Sequence, residues 1–150
     1  MQGRYGEQWS RHCAHPHKPL TEKQAREHHR KSKLYTALLG DPVRPRCFLE
    51  FSAYRSVCVE FLDEALRSVL VYSFQELPEE PPNLLFLSEA IIRYFDADPQ
   101  ANSGYPNSAD HYYFHADGRL IYRHSVITPR ATTQVGEEQS TTDVTNNWEP

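Results

Sequence analysis

VCVEFLDEALRSVLVYSF, residues Val57 to Phe74, reads as two strands and a turn. Val57, Val59 and Phe61 alternate with Cys58, Glu60 and Leu62, and Leu70, Tyr72 and Phe74 alternate with Val69, Val71 and Ser73. Period-two alternation marks a half-buried strand, and Val, Phe and Tyr suit a pleated surface. The cleaner apolar face is that of Val57, Val59 and Phe61. It meets Leu70, Tyr72 and Phe74 if Leu62 pairs with Arg67, leaving Asp63–Leu66 as the loop. A slip of one residue would turn a mixed face inward, so the pattern selects a register.

Outward from this hairpin, the 150 residues suffice for one domain with a sizeable core. The apolar fraction of 39% is low, and much of the shortfall lies at the two ends. No apolar run is long enough to span a bilayer, and the start, MQGRYGEQWSRHC, lacks the apolar segment of a signal peptide. Cys13, Cys47 and Cys58 form no CxxC motif, and an odd count points to a reducing, cytoplasmic setting. Cys47 and Cys58 fall on strand patterns, where a thiol behaves as a small buried hydrophobe. Charge is split along the chain. Residues 1–46 carry ten Lys and Arg against four Asp and Glu, a net +6. Residues 47–150 carry six Arg and sixteen Asp and Glu, a net −10. Such an arm suits nucleic acid or an acidic partner, but a solvated face is the commoner reason for a charge run.

Residues 1–20 lack periodicity and read as an irregular basic arm. RHCAHPH, residues 11–17, crowds His12, Cys13, His15 and His17 into six positions. Structural zinc sites instead pair two knuckles across a longer stretch, so we expect no metal or other cofactor. Thr21-Glu22-Lys23-Gln24 fits a capping box and predicts a helix running to about Leu39, with Gly40 as its left-handed cap and Pro42 beyond. Leu34, Tyr35, Leu38 and Leu39 would dock it on a sheet. Cys47 to Ser52 reads as a strand, and a turn is expected near Ala53-Tyr54-Arg55. An unbroken strand from Cys47 to Phe61 would be about 50 Å long.

ELPEEPPN, residues 76–83, is a connection without sheet bonding. LLFLSEAIIRYF, residues 84–95, suggests an interior strand, with a short buried helix as the rival. Glu89 within it would be satisfied by an ion pair with an Arg such as Arg93. DADPQANSGYPNSAD, residues 96–110, is a long polar loop and the place for a binding rim, with Asp96, Asp98 and Tyr105 as its candidates.

Residues 111–124 form a second hairpin around Asp117-Gly118. A three-residue loop with Gly118 at the left-handed bulge position pairs His115 with Arg119. That register gives one apolar face of Tyr112, Phe114, Leu120 and Tyr122. The other face holds His111, Tyr113, His115, Arg119, Ile121 and Arg123. It separates polar from apolar better than the two-residue alternative. Two Arg, two His and a Tyr on adjacent strands of an acidic body suit recognition of an acidic protein or a phosphate-bearing ligand. The plainer account is a solvent face, its arginines paired with acids of a neighbouring strand. His111, His115 and His124 as a metal site would lack a matching carboxylate. From Thr128 onward, Thr, Gln, Asn and Glu leave little to bury, and residues 128–150 read as a mobile tail anchored only by Trp148.

No glycine-rich phosphate loop, GxSxG, HExxH or EF-hand loop is present, so a binder is expected rather than an enzyme. CVEFLDEALRSVLVYSFQEL, LFLSEAIIRYF and YYFHADGRLIYRH together resemble the meander of small bacterial immunity proteins, over roughly residues 46–125. That resemblance implies a cytoplasmic protein that neutralises a toxin partner through a surface rather than a pocket, and it carries over no individual residue. The expected architecture is α+β. A single domain over residues 21–127 would pack an N-terminal helix on an antiparallel sheet of about six strands, and its function would be to bind and occlude another protein. Nucleic-acid binding by the basic arm is the runner-up, and a metal-dependent enzyme built on the histidines is the third reading.

Overall fold

The computed structural model describes residues 4–10, 15–41, 43–52, 55–78, 84–96 and 105–150. Among them are eleven strands and a single nine-residue helix, and the strand pairings are antiparallel. The α+β expectation, with its long helix, about six strands, irregular arm and mobile tail, is therefore corrected to a nearly all-β chain. Two compact units are distinguished, Met1–Ser68 and Val69–Pro150.

The first unit holds β1 (Tyr5–Ser10), β2 (His15–Leu20), β3 (Tyr35–Gly40), β4 (Pro45–Phe51) and β5 (Ser56–Leu62), ordered β2-β1-β3-β4-β5. The supposed arm is a hairpin of β1 (Tyr5–Ser10) and β2 (His15–Leu20), registered by Tyr5 opposite Leu20 and Trp9 opposite Pro16. Pro16 and Pro19 obscure β2 in the sequence, yet an edge strand tolerates them because one side of its ladder bonds nothing. Trp9, 5% exposed, stacks on Phe48 at 5.4 Å and with Leu38 forms the core of this unit.

The capping box is present, with the Thr21 side chain accepting from Gln24 N and the Gln24 side chain from Thr21 N. The helix α1 (Glu22–Arg30) nonetheless ends nine residues before Leu39. Its terminator is Ser32, in the left-handed region at φ 49°. Ser32 N donates to His29 O at 3.1 Å and Lys33 N to His28 O at 2.8 Å, the two reversed bonds of a Schellman ending. Tyr35–Gly40 then forms β3, which pairs with β4 (Pro45–Phe51), and Gly40, φ 96°, sits at a register shift of that ladder rather than at a helix end. Leu34, Tyr35, Leu38 and Leu39 fit a helical stripe, but only Tyr35 and Leu38 are buried, while Leu34 and Leu39 are exposed.

Of the turn expected near Ala53-Tyr54-Arg55, Ala53 and Tyr54 lie outside the described residues, but Ser52 N donates to Ser56 O and β5 (Ser56–Leu62) runs back antiparallel to β4. The inward face of β5 differs from the expectation. Phe48 lies opposite Glu60, and both are enclosed, at 0% and 2% exposure. Val57, Val59 and Phe61 are only half-buried. The register with β4, not the cleaner apolar alternation of β5 alone, chooses the covered face. The following turn is one residue shorter than expected, because Asp63 N donates to Arg67 O and Leu66 takes φ 60°.

The second unit orders its strands β6-β7-β8-β9-β10. These are β6 (Ser68–Gln75), β7 (Leu85–Tyr94), β8 (Ser108–Phe114), β9 (Arg119–Thr128) and β10 (Ala131–Thr141). The apolar run around Ile91 is a strand, the preferred of its two readings. The tail expectation fails here, since β10 runs along the whole of β9 with one bulge. All of its residues are exposed, so backbone ladder bonds hold it without any apolar side-chain pattern. Beyond it β11 (Trp148–Glu149) pairs with the start of β7, and Trp148 covers Phe86 with ring centroids 4.9 Å apart.

Candidate functional site

The β8–β9 hairpin adopts the three-residue register. Tyr112 faces Tyr122 and Phe114 faces Leu120, and His115 N donates to Arg119 O at 2.9 Å. Gly118 at φ 85° supplies the bulge. Alternation then places His111, Tyr113, His115, Arg119, Ile121 and Arg123 on one face, which β7 and β10 extend with Glu89 opposite Tyr113 and Glu137 opposite Arg123.

Tyr113 is the centre of this face. Its ring lies nearly parallel to that of His111, 6.0 Å away, and the Arg123 guanidinium sits 5.2 Å from its centroid. His111 Nδ1 lies 3.4 Å from Glu89 Oε1 and 3.4 Å from the Tyr113 hydroxyl. Arg123 Nε donates to Glu137 Oε2 at 2.8 Å. Burial, reinforced by the Glu89 carboxylate and opposed by Arg123, pushes the Tyr113 phenol up. The Arg123 hydrogen bond holds Glu137 below its ordinary value. At the hairpin tip Arg119 Nη2 donates to His115 Nδ1 at 3.3 Å. A shallow hollow of about 410 Å³ opens beside the row, lined by Glu89, Tyr113, His115, Ile121 and Arg123 among others. Glu89, expected to pair with an arginine such as Arg93, faces His111, and Ser73 Oγ donates to it at 3.5 Å.

The loop candidates do not join this row. Asp98 lies outside the described residues. Asp96 accepts from Asn107 Nδ2 at 2.8 Å, and Tyr105 is 65% exposed. Both flank the Tyr94–Ser108 end of the β7–β8 pair, whereas His115 and Arg119 occupy the hairpin tip. The length of β8, roughly 20 Å, separates them. His124 falls on the face opposite His111 and His115, so these three cannot share an ion. Of the N-terminal cluster, His12 and Cys13 lie outside the described residues. Among those described, no group of three His, Cys, Asp or Glu is placed to hold a metal.

On that opposite face is a network the sequence does not announce. Asp110, 9% exposed, accepts from the Tyr94 hydroxyl at 2.7 Å and the Tyr122 hydroxyl at 2.9 Å, and lies 2.6 Å from His124 Nδ1. Burial works against its ionisation, but the bonds from His124, Tyr94 and Tyr122 outweigh burial and hold its carboxyl below 3.8. Asp110 closes the polar run 96–110 and so reads as loop. Its place opposite His124 in the ladder was the available signal.

The N-terminal positive charge is partly neutralised within its own unit. Lys18 pairs with Glu7, Arg26 with Glu22, and Arg30 and Lys31 with Glu27. No helix among the described residues is long and apolar enough to cross a membrane. Comparison with protein-family models, curated proteins and solved structures finds no match.

Proposed function

We propose that this chain is a protein-binding module of the immunity-inhibitor kind, which occludes a partner such as a toxin through the His111–Tyr113–Arg123 face. One observation carries the reading. A tyrosine and an arginine are held against each other on an open sheet face, braced by Glu89, His111 and Glu137 from three strands. Tyr and Arg are the side chains that anchor interfaces, and pre-ordering them lowers the entropy lost on association. The flanking acids favour a partner of mixed charge over a polyanion. The ion pairs within the basic segment support the same preference over nucleic acid. The reading includes a reducing cytoplasm, to which the buried Cys47, its thiol pushed up by burial, is suited.

The test is native mass spectrometry of the chain recovered from its own cells, beside Tyr113→Ala and Arg123→Glu. A second protein bound one-to-one by the wild type and lost from both variants supports the proposal. A bare chain, or a partner retained by both variants, defeats it.

A further inference from the structure

We propose that the hollow between α1 and the sheet of the first unit binds a small planar aromatic anion, an aromatic ring system carrying a carboxylate or a phosphate. The space measures about 610 Å³, within the range of small-molecule sites. It lies inside the first unit and is independent of the His–Tyr–Arg face.

The walls of this hollow follow from the register. Tyr35 on β3 lies directly opposite Phe51 on β4, and their rings stack at 4.6 Å with planes 5° apart. His29 of α1 stands edge-on to both, at 6.0 and 5.8 Å, and shares a 3.2 Å hydrogen bond between its Nδ1 and the Tyr35 hydroxyl. Tyr5 of β1 adds a further aromatic wall. Ala25 is the buried residue of the helix. A methyl group fills little, so the half-buried rings of Tyr5 and Phe51 and the exposed His29 border an open space, while Tyr35 itself is enclosed. Rings arranged this way offer faces and edges to a flat ligand.

The rim determines the sign of the ligand's charge. Lys23, Arg26 and Arg30 recur at helical spacing along one side of α1 and line the hollow, with Glu22 as the single acid among the described residues that line it, a formal excess of +2 there. A cation in the aromatic walls would face this excess, whereas an anion is drawn to it. Glu22 holds Arg26 at 2.7 Å and Glu27 holds Arg30. The Lys23 ammonium has no partner among the described residues, which leaves it to meet the anion first.

Nuclear magnetic resonance titration of the full chain with adenosine 5′-monophosphate and, separately, with indole-3-carboxylate tests the proposal. Adenosine and inorganic phosphate serve as probes that each carry half of the recognised chemistry. At least one complete probe is expected to saturate, shifting amides of α1 and those around Tyr35 and Phe51. Each half-probe should bind at least about tenfold more weakly, and Lys23→Gln, on the exposed helix surface, should weaken binding about tenfold. Tighter binding of the first probe identifies a phosphate ligand, and tighter binding of the second an aryl acid. The proposal is overturned if neither probe saturates by about 1 mM, if the shifted amides lie elsewhere, or if Lys23→Gln binds as the wild type does.

Discussion

The Tyr122 hydroxyl donates to Asp110 Oδ1 at 2.9 Å, from one strand of the β8–β9 hairpin to the other. Ionising the phenol would set an anion against a carboxylate, and its pKa is accordingly pushed up from 10.0 to about 12. A folded-state value raised above the unfolded one means that this pair's contribution is complete below pH 10 and is lost as pH rises through about 12. Absorbance of phenolate, compared between wild type and Tyr122→Phe, should show one tyrosine titrating near pH 12 in the wild type. A difference curve centred at the ordinary 10.0 would contradict the hydrogen bond.

Asp110→Asn tests the same network from its acceptor. Asn presents one acceptor oxygen and an amide donor to three donors, so a buried group loses its partner. The expected loss is about 1–3 kcal/mol in urea unfolding at neutral pH. The carboxyl is held below 3.8, so its stabilisation is present above that pH and disappears as pH falls through the lower folded value. The difference between wild type and variant should therefore shrink in acid. An equal gap at neutral and strongly acidic pH would show that the cost is steric.

Ser32→Gly should stabilise the first unit. Ser32 is exposed and takes φ 49° at the end of α1. Glycine removes the Cβ crowding of the left-handed region, worth about 1 kcal/mol. Thermal unfolding is the measurement, and a lower midpoint would mean that the serine hydroxyl matters more than the backbone.

Thr36 is wholly enclosed, at 0% exposure, and its hydroxyl has no hydrogen-bond partner among the described residues. Thr36→Val keeps the shape and removes the stranded polar atom, so stability should be unchanged or rise by about 1 kcal/mol. A clear loss in denaturant unfolding would reveal a partner for the hydroxyl in solution.

The row His111, Tyr113, His115, Arg119 and Arg123 is legible in the sequence because two local signals coincide. Asp117-Gly118 specifies a left-handed bulge, and only one register separates apolar from polar side chains. The Thr21 capping box is legible for a similar reason, being decided within four residues, whereas the reversal between β4 and β5 follows only from the length an unbroken strand would have. Glu89 and Glu137, which brace the row, come from strands distant in sequence, and no local pattern pairs them with it.

The sequence by itself determined short-range items: the register of the β8–β9 hairpin, which side chains share a face of a strand, and where the helix starts. Tertiary structure decided the rest. It ended α1 at a serine, because the residues beyond gain more from pairing with β4 than from another helical turn. It also made strands of His15–Leu20 and Ala131–Thr141, whose ladder bonds are backbone bonds and leave no apolar trace. The same long-range pairing turned Glu60 inward, placed Asp110 among Tyr94, Tyr122 and His124, and brought Tyr35 onto Phe51. Periodicity reports which face of an element avoids water, but not which neighbour covers it.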